Sequence, residues 1–296
     1  MPNPGRCLAA LALCLVPAGL TGQGTAAPRV AWWPRLPLQG SLVRVSVRPP
    51  AGSSVTALSG ELAGEPLHFE RFADGFEALG AVPFGADDSA TARLVLERAD
   101  STSDTVVATL PVARRRVPRE RLRVPPEYAE PPDSLSERIR LEQELVQEVR
   151  QRAHETPRLW QAPFQRPRAG VVTSGFGVAR VFNKVLRSRH MGVDVAGQRG
   201  DPVRASNRGV VALVADLYYS GTTILIDHGA GLVTGYFHLS RVLVVPGDTV
   251  AAGHLIGLVG ASGRVTRSHL HWFAAYGGIT FDPLDLIRAN GPTRFP

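Results

Sequence analysis

The sequence has very little thiol and very little lysine. Its 296 residues include two cysteines, Cys7 and Cys14, and a single lysine, Lys184. Both cysteines lie near the amino terminus, so a chain cleaved after Ala26 contains no thiol. Disulfide bonds, thiolate catalysis and cysteine-bound zinc are therefore excluded for such a cleaved chain.

The sequence also lacks an apolar run long enough to cross a bilayer comfortably. Its first apolar run, residues 8–20, has about the length of the hydrophobic region of a signal peptide and is interrupted by Pro17. Arg6 precedes this run, and small residues follow it. We therefore predict a signal peptide over residues 1–26, no stable membrane span after its cleavage, and a secreted or periplasmic protein.

Basic residues outnumber acidic ones by 33 to 26, which gives a formal net charge of +7. A positive surface favours an anionic envelope polymer or a nucleic acid through long-range attraction, but an arginine-rich composition can also do no more than solvate the surface. No basic cluster in the sequence alternates with aromatic residues, as a groove for nucleic acid requires. We therefore predict no nucleic-acid partner.

Residues 28–116 have the pattern of short strands separated by turns. Val43, Val45 and Val47 alternate with polar residues, which is the period of a half-buried strand. Leu94 and Leu96 repeat this pattern. We predict a small antiparallel β-sandwich, immunoglobulin-like in outline, that acts as a spacer or a binding module.

Residues 117–160 have the pattern of a linker followed by one helix. Four prolines between residues 125 and 132 interrupt regular structure. Ser134 and Glu137 have the spacing of a capping box, and apolar residues from Leu135 to Ala153 recur at helical intervals. We predict a helix from about residue 134 to 154, with its apolar stripe packed on one of the two domains.

Residues 161–296 are rich in strand-like segments and contain six of the eight histidines. His269 and His271 are two apart, so on a strand both face the same cavity. Asp194 follows His190 by four residues, a spacing that suits a helical turn or a short strand entered at Gly192. Two imidazoles and one carboxylate are a common zinc shell, with the fourth position left to a reactive water.

The other histidines have weaker signals. We interpret His68 and His154 as surface residues and His254 as an exposed turn residue. His228 lies in an Asp-His-Gly sequence, which favours a structural role in a turn, although it can also orient a neighbour.

The stretch from Ser174 to about Leu286 resembles the lysostaphin/LytM-type zinc metallopeptidases throughout its length. The matching blocks follow the family's order and approximate spacing: SGFG at 174–177, HMGVD at 190–194, PV at 202–203 with GVV at 209–211, IDHG at 226–229, YFHLS at 236–240, GDTV at 247–250, and HLH at 269–271. The resemblance implies a C-terminal β-rich domain of barrel-sandwich type that hydrolyses peptide bonds of peptidoglycan.

The resemblance also implies a role for each of five residues. His190, Asp194 and His271 bind Zn²⁺, and His238 and His269 stand beside the metal. These last two histidines activate the attacking water and stabilise the developing tetrahedral oxyanion.

Three positions depart from the family's usual pattern. Arg267 and Ser268 stand where glycine and proline are common, and no acidic residue follows closely after the final histidine pair. Phe237 replaces a residue that is usually small. Because all five implied site residues are present, we expect these departures to alter the substrate preference more than metal binding.

Two other functions are compatible with the fold that the resemblance implies. A catalytically silent regulator that activates cell-wall amidases is expected to lack one or more of the five residues, and this chain lacks none. A metallohydrolase acting on another envelope substrate remains open. A lipoyl- or biotinyl-type carrier is excluded, because the segment 245–257 that resembles such modules has no nearby lysine to receive the cofactor.

Overall fold

The fold is given by a computed structural model, which describes residues 27–72, 74–184 and 186–289. The predicted signal peptide, residues 1–26, lies outside the described residues. Strands predominate over helices, as predicted. In the described part of the chain, no helix combines the length and the apolar character that a membrane span requires.

Eight N-terminal strands form two four-stranded antiparallel sheets. They are β1 (Arg29–Trp33), β2 (Leu42–Arg48), β3 (Val55–Leu62), β4 (Glu65–Pro66), β5 (Glu70–Phe72), β6 (Gly75–Ala81), β7 (Ser89–Arg98) and β8 (Ser103–Pro111). One sheet has the order β1-β2-β6-β5 and the other β4-β3-β7-β8. The predicted alternation is confirmed, because Val43, Val45 and Val47 of one sheet share a buried core with Leu94 and Leu96 of the other. The specific likeness to immunoglobulin domains remains a prediction.

The connecting region contains a strand that the sequence analysis did not predict. Its elements are β9 (Arg119–Leu122), α1 (Pro126–Ala129), a 3-10 turn (Asp133–Leu135) and α2 (Ser136–Arg152). The predicted helix is confirmed within two residues at each end. The predicted capping box is wrong: Ser134 belongs to the 3-10 turn, Leu135 precedes the helix, and no side chain caps its first turn.

Helix α2 packs on the C-terminal part of the chain. Val146, Val149 and the buried Ala153 contact Leu225 and Val233, which belong to the C-terminal sheet. The predicted packing of the apolar stripe is therefore confirmed, and the helix rests on the same part of the molecule that contains most of the histidines.

Thirteen further strands and one short helix follow in the described C-terminal part. They are β10 (Val172–Ser174), β11 (Ala179–Phe182), β12 (Leu186–Arg189), β13 (Val193–Ala196), β14 (Pro202–Arg204), β15 (Gly209–Leu217), β16 (Gly221–Gly229), β17 (Leu232–Phe237), β18 (Leu239–Val242), β19 (Thr249–Val250), β20 (Leu255–Val259), β21 (His269–Tyr276), β22 (Ile279–Thr280) and α3 (Leu284–Arg288).

The C-terminal strands form one large sheet and two small ones. The large sheet has the order β10-β13-β21-β17-β16-β15-β19, with β22 paired to β21, and one small sheet has the order β14-β20-β18. These two sheets share one buried hydrophobic core. The second small sheet, β12-β11-β9, joins the connecting region to the C-terminal part. The predicted domain boundaries, 28–116, 117–160 and 161–296, remain predictions.

The interpretation of His68 and His154 as surface residues is wrong. Their rings are in contact, with 2.8 Å between Nε2 of His68 and Nδ1 of His154. Nε2 of His154 lies 3.0 Å from a carboxylate oxygen of Glu65, and the Tyr276 hydroxyl donates to the Pro66 carbonyl at 2.7 Å. These contacts join an N-terminal sheet, the end of α2 and β21, and so fix how the parts of the chain meet.

His228 has a structural role, but within strand β16 and not in a turn. Its Nδ1–H donates to the Arg208 carbonyl at 2.8 Å, and its Nε2 accepts from the Thr234 hydroxyl at 2.8 Å. The Thr234 hydroxyl in turn contacts the Tyr236 hydroxyl at 2.9 Å. Burial lowers the pKa of His228 to about 4, so the ring is neutral at neutral pH and serves this buried chain of hydrogen bonds. His254 is exposed, as predicted.

Candidate metal centre

One row of cross-strand neighbours builds the floor of the site. Ser174 on β10 pairs with Asp194 on β13, which pairs with His271 on β21, which pairs with Phe237 on β17. Directly opposed residues of antiparallel strands project from the same face of a sheet. The register therefore brings Asp194 beside His271 across 77 residues of sequence. His269, two residues earlier on β21, faces the same side.

Three potential ligand atoms form a nearly equilateral triangle. Nε2 of His190, Oδ1 of Asp194 and Nδ1 of His271 lie 2.9 Å from one another on every side. All three residues are buried, and their ligand atoms are close enough to hold one metal ion. A tetrahedral zinc with bonds of about 2.0–2.1 Å has ligand-to-ligand edges of about 3.3 Å. The triangle fits zinc after widening by a few tenths of an ångström.

Three of the histidines are oriented in the same way. In each, Nδ1 lies against a backbone carbonyl oxygen; the pairs are His190 with Gly175 at 2.8 Å, His238 with Ser262 at 2.8 Å, and His269 with Arg267 at 2.9 Å. Because a carbonyl only accepts, Nδ1 must carry the proton in the neutral ring. Each ring therefore turns the lone pair of Nε2 away from the backbone, and hydrogen bonds of this kind also orient metal-binding histidines.

The charge states of the site favour a bound cation. Burial opposes ionisation of Asp194, but His190, His269 and His271 around it outweigh that effect and hold the pKa of its carboxyl well below the usual range. Burial lowers the pKa of His271 to about 4 and lowers the pKa of His238 as well. At neutral pH, Asp194 is therefore anionic and His271 is neutral, which are the forms that bind metal. His238 is also neutral and can accept a proton.

Close packing holds His271 in place from two sides. A Cβ on Gly192 would lie 2.5 Å from Nε2 of His271 and 2.6 Å from the Trp272 carbonyl oxygen, so only glycine fits at this turn. On the other side, the Phe237 ring stacks on the imidazole with 5.1 Å between centroids and an angle of 8° between planes. Of the two predicted structures between His190 and Asp194, the short strand entered at Gly192 is correct, because β13 begins at Val193.

His238 has a backbone conformation that non-glycine residues rarely adopt. Its φ is 63°, at the point where β17 ends and β18 begins. Such left-handed residues cost on the order of 1 kcal/mol and are concentrated at functional sites. This conformation places the ring 5.1 Å from the His269 ring and 5.9 Å from the His271 ring, measured between centroids. With Nε2 of His269 at 3.4 Å from Oδ1 of Asp194, all five predicted residues lie together.

Three further residues, Arg180, Ser174 and Glu120, contribute to the site and were not predicted from the sequence. The Arg180 guanidinium donates to the second carboxylate oxygen of Asp194 and, at 3.0 Å, to the Ser174 hydroxyl. It also contacts Glu120 at 3.3 Å, and the Ser174 hydroxyl donates to Glu120 at 2.9 Å. The alternation of arginine with Glu120 and Leu122 over residues 119–123 was the available signal, because that pattern is typical of a strand.

The connecting strand β9 forms part of the wall above the site. A cavity of about 150 Å³ has Asp194, His238 and His269 on one side and Glu120 and Leu122 on another. Its further walls are Phe182 and the segment 264–267. The Arg264 guanidinium lies 4.3 Å from the centres of both the Phe182 and Tyr219 rings. The site therefore lies at a polar cavity that is bordered by the connecting region and one loop.

Comparisons with known proteins point to one family. Residues 188–283 match the model of peptidase family M23. The chain is 38% identical over 122 residues to peptidoglycan DD-endopeptidase ShyA of Vibrio cholerae, covering 41% of this chain and 28% of the relative. It is 38% identical over 97 residues to DD-carboxypeptidase/endopeptidase Mpg of Neisseria meningitidis, covering 33% of this chain and 22% of the relative. The chain therefore spans less than a third of the length of these relatives.

A solved structure extends the likeness to most of the fold. A structure from Pseudomonas aeruginosa named for peptidase M23 superposes with a TM-score of 0.65 at 24% identity, covering 85% of this chain and 95% of the other. At that identity the likeness concerns the fold alone. The family match, in contrast, spans all five clustered residues. Residues 188–283 are therefore similar to the peptidase M23 domain.

Proposed function

We propose that this protein is a zinc-dependent endopeptidase that hydrolyses peptide bonds of peptidoglycan outside the cytoplasm. The observation that carries the proposal is the triangle of His190, Asp194 and His271, with 2.9 Å sides, beside a cavity that Asp194, His238 and His269 line. The names of the relatives ShyA and Mpg, both endopeptidases, support the reaction, and that of ShyA supports the substrate class. Export by the predicted signal peptide places the enzyme with that substrate.

In this proposal His190, Asp194 and His271 hold the zinc ion. Bound by such a shell, zinc lowers the pKa of a water molecule to about 7 and polarises a substrate carbonyl. Asp194 contributes the negative charge, and the two imidazoles contribute lone pairs. Gly175 and Phe237 hold the two rings in the orientation that this requires.

His238 and His269 serve as the proton-transfer residues. In their neutral forms both rings keep the Nδ1 proton on a backbone carbonyl, so each Nε2 is a proton acceptor. One ring therefore takes the proton of the attacking water at Nε2. Once protonated, the same atom donates to the oxyanion or delivers the proton to the leaving amine.

The role of a silent amidase regulator is not favoured. Such a protein is expected to lack one of the five residues or to hold them apart, whereas here all five are present and lie together. Asp194 and His271 also have the protonation states that metal binding requires.

Digestion of purified peptidoglycan tests the proposed function. With zinc, the protein is expected to open peptide crosslinks, which mass spectrometry of the muropeptides detects as new free amine and carboxyl ends. A chelator abolishes this cleavage, and added zinc restores it. Unchanged muropeptides with zinc-loaded protein contradict the proposal. Stimulation seen only when a separate amidase is added favours the regulator instead.

Arg180 is expected to stabilise the metal-free protein more than the zinc-bound protein. Without a cation, Arg180 is the positive partner of the buried Asp194 carboxylate, so Arg180→Gln leaves that charge poorly compensated. We expect a loss of about 3 kcal/mol in the free energy of unfolding in chelator. The loss is smaller in zinc, because the ion itself compensates Asp194.

Denaturant titrations with chelator or with zinc measure this difference. Arg199→Gln is the matched control, since Arg199 is exposed and outside the site. Equal losses for Arg180→Gln under both conditions show that the Arg180 contact is unrelated to the metal centre.

A further inference from the structure

The small sheet β12-β11-β9 has two chemically different faces. Successive residues of a strand project to opposite sides, so Glu120 faces the cavity of the metal centre, while Leu122 borders both that cavity and the cleft on the other side. Arg119 and Arg121 project to the other side, next to Ala179 and Val181 of β11. Arg123 and Lys184 continue that side, and all four cationic residues line one shallow cleft. We call the surface formed by Arg119, Arg121, Arg123 and Lys184 the outer basic face.

The positive charge of the outer basic face is unbalanced. All four of its residues are exposed, and none of their side chains forms a hydrogen bond or an ion pair with the described part of the chain. No acidic residue lines the cleft among the described residues. On helix α2, in contrast, Arg138 and Arg140 form ion pairs with Glu142 and Glu144. The outer basic face thus brings four uncompensated positive charges together in one cleft.

We propose that the outer basic face binds a linear phosphodiester polymer. Alternate residues of a strand lie about 6.7 Å apart, so Arg119 and Arg121 of β9 and Arg123 directly after it present guanidinium groups in succession along one cleft. A row suits a linear chain of charges better than a compact anion. Each guanidinium can donate two parallel hydrogen bonds to one phosphate.

The composition of the cleft disfavours two other partners. It contains no aromatic residue, so it offers no platform on which bases can stack, as single-stranded nucleic acids require. Its apolar members are the aliphatic residues Leu122, Val124 and Val181, none of which is exposed. It therefore lacks the large exposed apolar side chains that insert into a lipid surface.

This binding goes beyond the proposed hydrolytic function and does not depend on it. The outer basic face lies on the opposite side of a single sheet from the metal cavity, so an attached polymer stays beside the site without entering it. Binding needs neither zinc nor turnover. A failure of polymer binding therefore leaves the peptidase proposal untouched, and the reverse also holds.

A labelled oligomer of abasic deoxyribose phosphate is a suitable probe, because it has a phosphodiester backbone and no bases. Fluorescence anisotropy over a range of salt concentrations measures its affinity for the full chain. Arg119→Gln/Arg121→Gln/Arg123→Gln is expected to weaken binding about tenfold or more at low salt. Loss of three phosphate contacts lowers the slope of log K against log salt by about 2. Arg119→Lys/Arg121→Lys/Arg123→Lys keeps the three positive charges, so we expect it to retain most of the slope of the unmodified protein.

The control removes the same charge from scattered positions: Arg93→Gln/Arg199→Gln/Arg241→Gln, three exposed arginines away from the face. If this control weakens binding as much as the triple variant of the face, the attraction is only net charge and the proposal fails. Strong preference for oligo(dT) over the abasic probe assigns the face to nucleic acid and overturns it. Equal affinity for poly-L-glutamate overturns the preference for phosphate. Thermal unfolding confirms that the variants are folded.

Discussion

Replacing His271 by alanine is expected to remove zinc and to lower peptidoglycan cleavage by roughly 10³-fold or more, since metal activation is worth several kcal/mol. The substitution removes one corner of the triangle formed with His190 and Asp194. It also removes the ring on which Phe237 stacks. Zinc content by atomic spectroscopy and initial rates of muropeptide release measure the two effects on the same sample.

His254→Ala is the matched control for this experiment. It makes the same chemical change at an exposed histidine outside the site, and we expect unchanged zinc content and rate. Circular dichroism of the His271 variant separates loss of the ligand from loss of the fold. A folded His271→Ala protein that keeps one zinc per chain and its rate contradicts the assignment of His271 as a ligand.

Replacing His238 by asparagine is expected to lower kcat by about 10²–10⁴-fold while zinc remains bound. His238 stands beside the triangle and is not one of its corners, so the metal shell survives its loss. Asparagine is the informative choice because it tolerates the left-handed backbone conformation that His238 adopts. The substitution therefore removes the proton acceptor without adding backbone strain.

The pair of readouts distinguishes His238 from His271. A drop in kcat with zinc content near that of the wild-type protein supports proton transfer, and KM is expected to change little. Loss of zinc in His238→Asn shows that this ring holds the metal after all. Full activity shows that His269 alone is sufficient for proton transfer.

Local patterns predicted the parts of the site that depend on local geometry. His269 and His271 lie on the same face of the sheet because they are two apart on β21, as the period of a strand requires. The alternating valines of β2 predicted a buried face correctly for the same reason. The helix α2 and its apolar stripe followed from spacing at three and four residues.

Features that depend on contacts between distant residues could not be predicted in this way. Glu120 reaches the site only because β9 pairs in parallel with β11, some 60 residues along the chain. His68 and His154 are partly buried because β21 and the N-terminal sheet meet at Glu65 and Tyr276. The helix begins later than the capping pattern predicted, because a 3-10 turn occupies Asp133–Leu135.

The five residues of the centre were suggested by resemblance to a family, and their meeting depends on strand register. Asp194 and His271 are opposed residues of β13 and β21, and that pairing is a property of the folded sheet. The sequence motif alone identifies the five residues but does not determine their arrangement in space. The structure adds the distances, the ring orientations and the buried partner Arg180.

Diffraction from crystals of the zinc-loaded protein at the zinc absorption edge tests the central claim most directly. We expect one strong anomalous peak within about 2.0–2.2 Å of Nε2 of His190, Oδ1 of Asp194 and Nδ1 of His271. A peak bound by a different set of side chains, or no peak at this triangle in fully loaded crystals, contradicts the account.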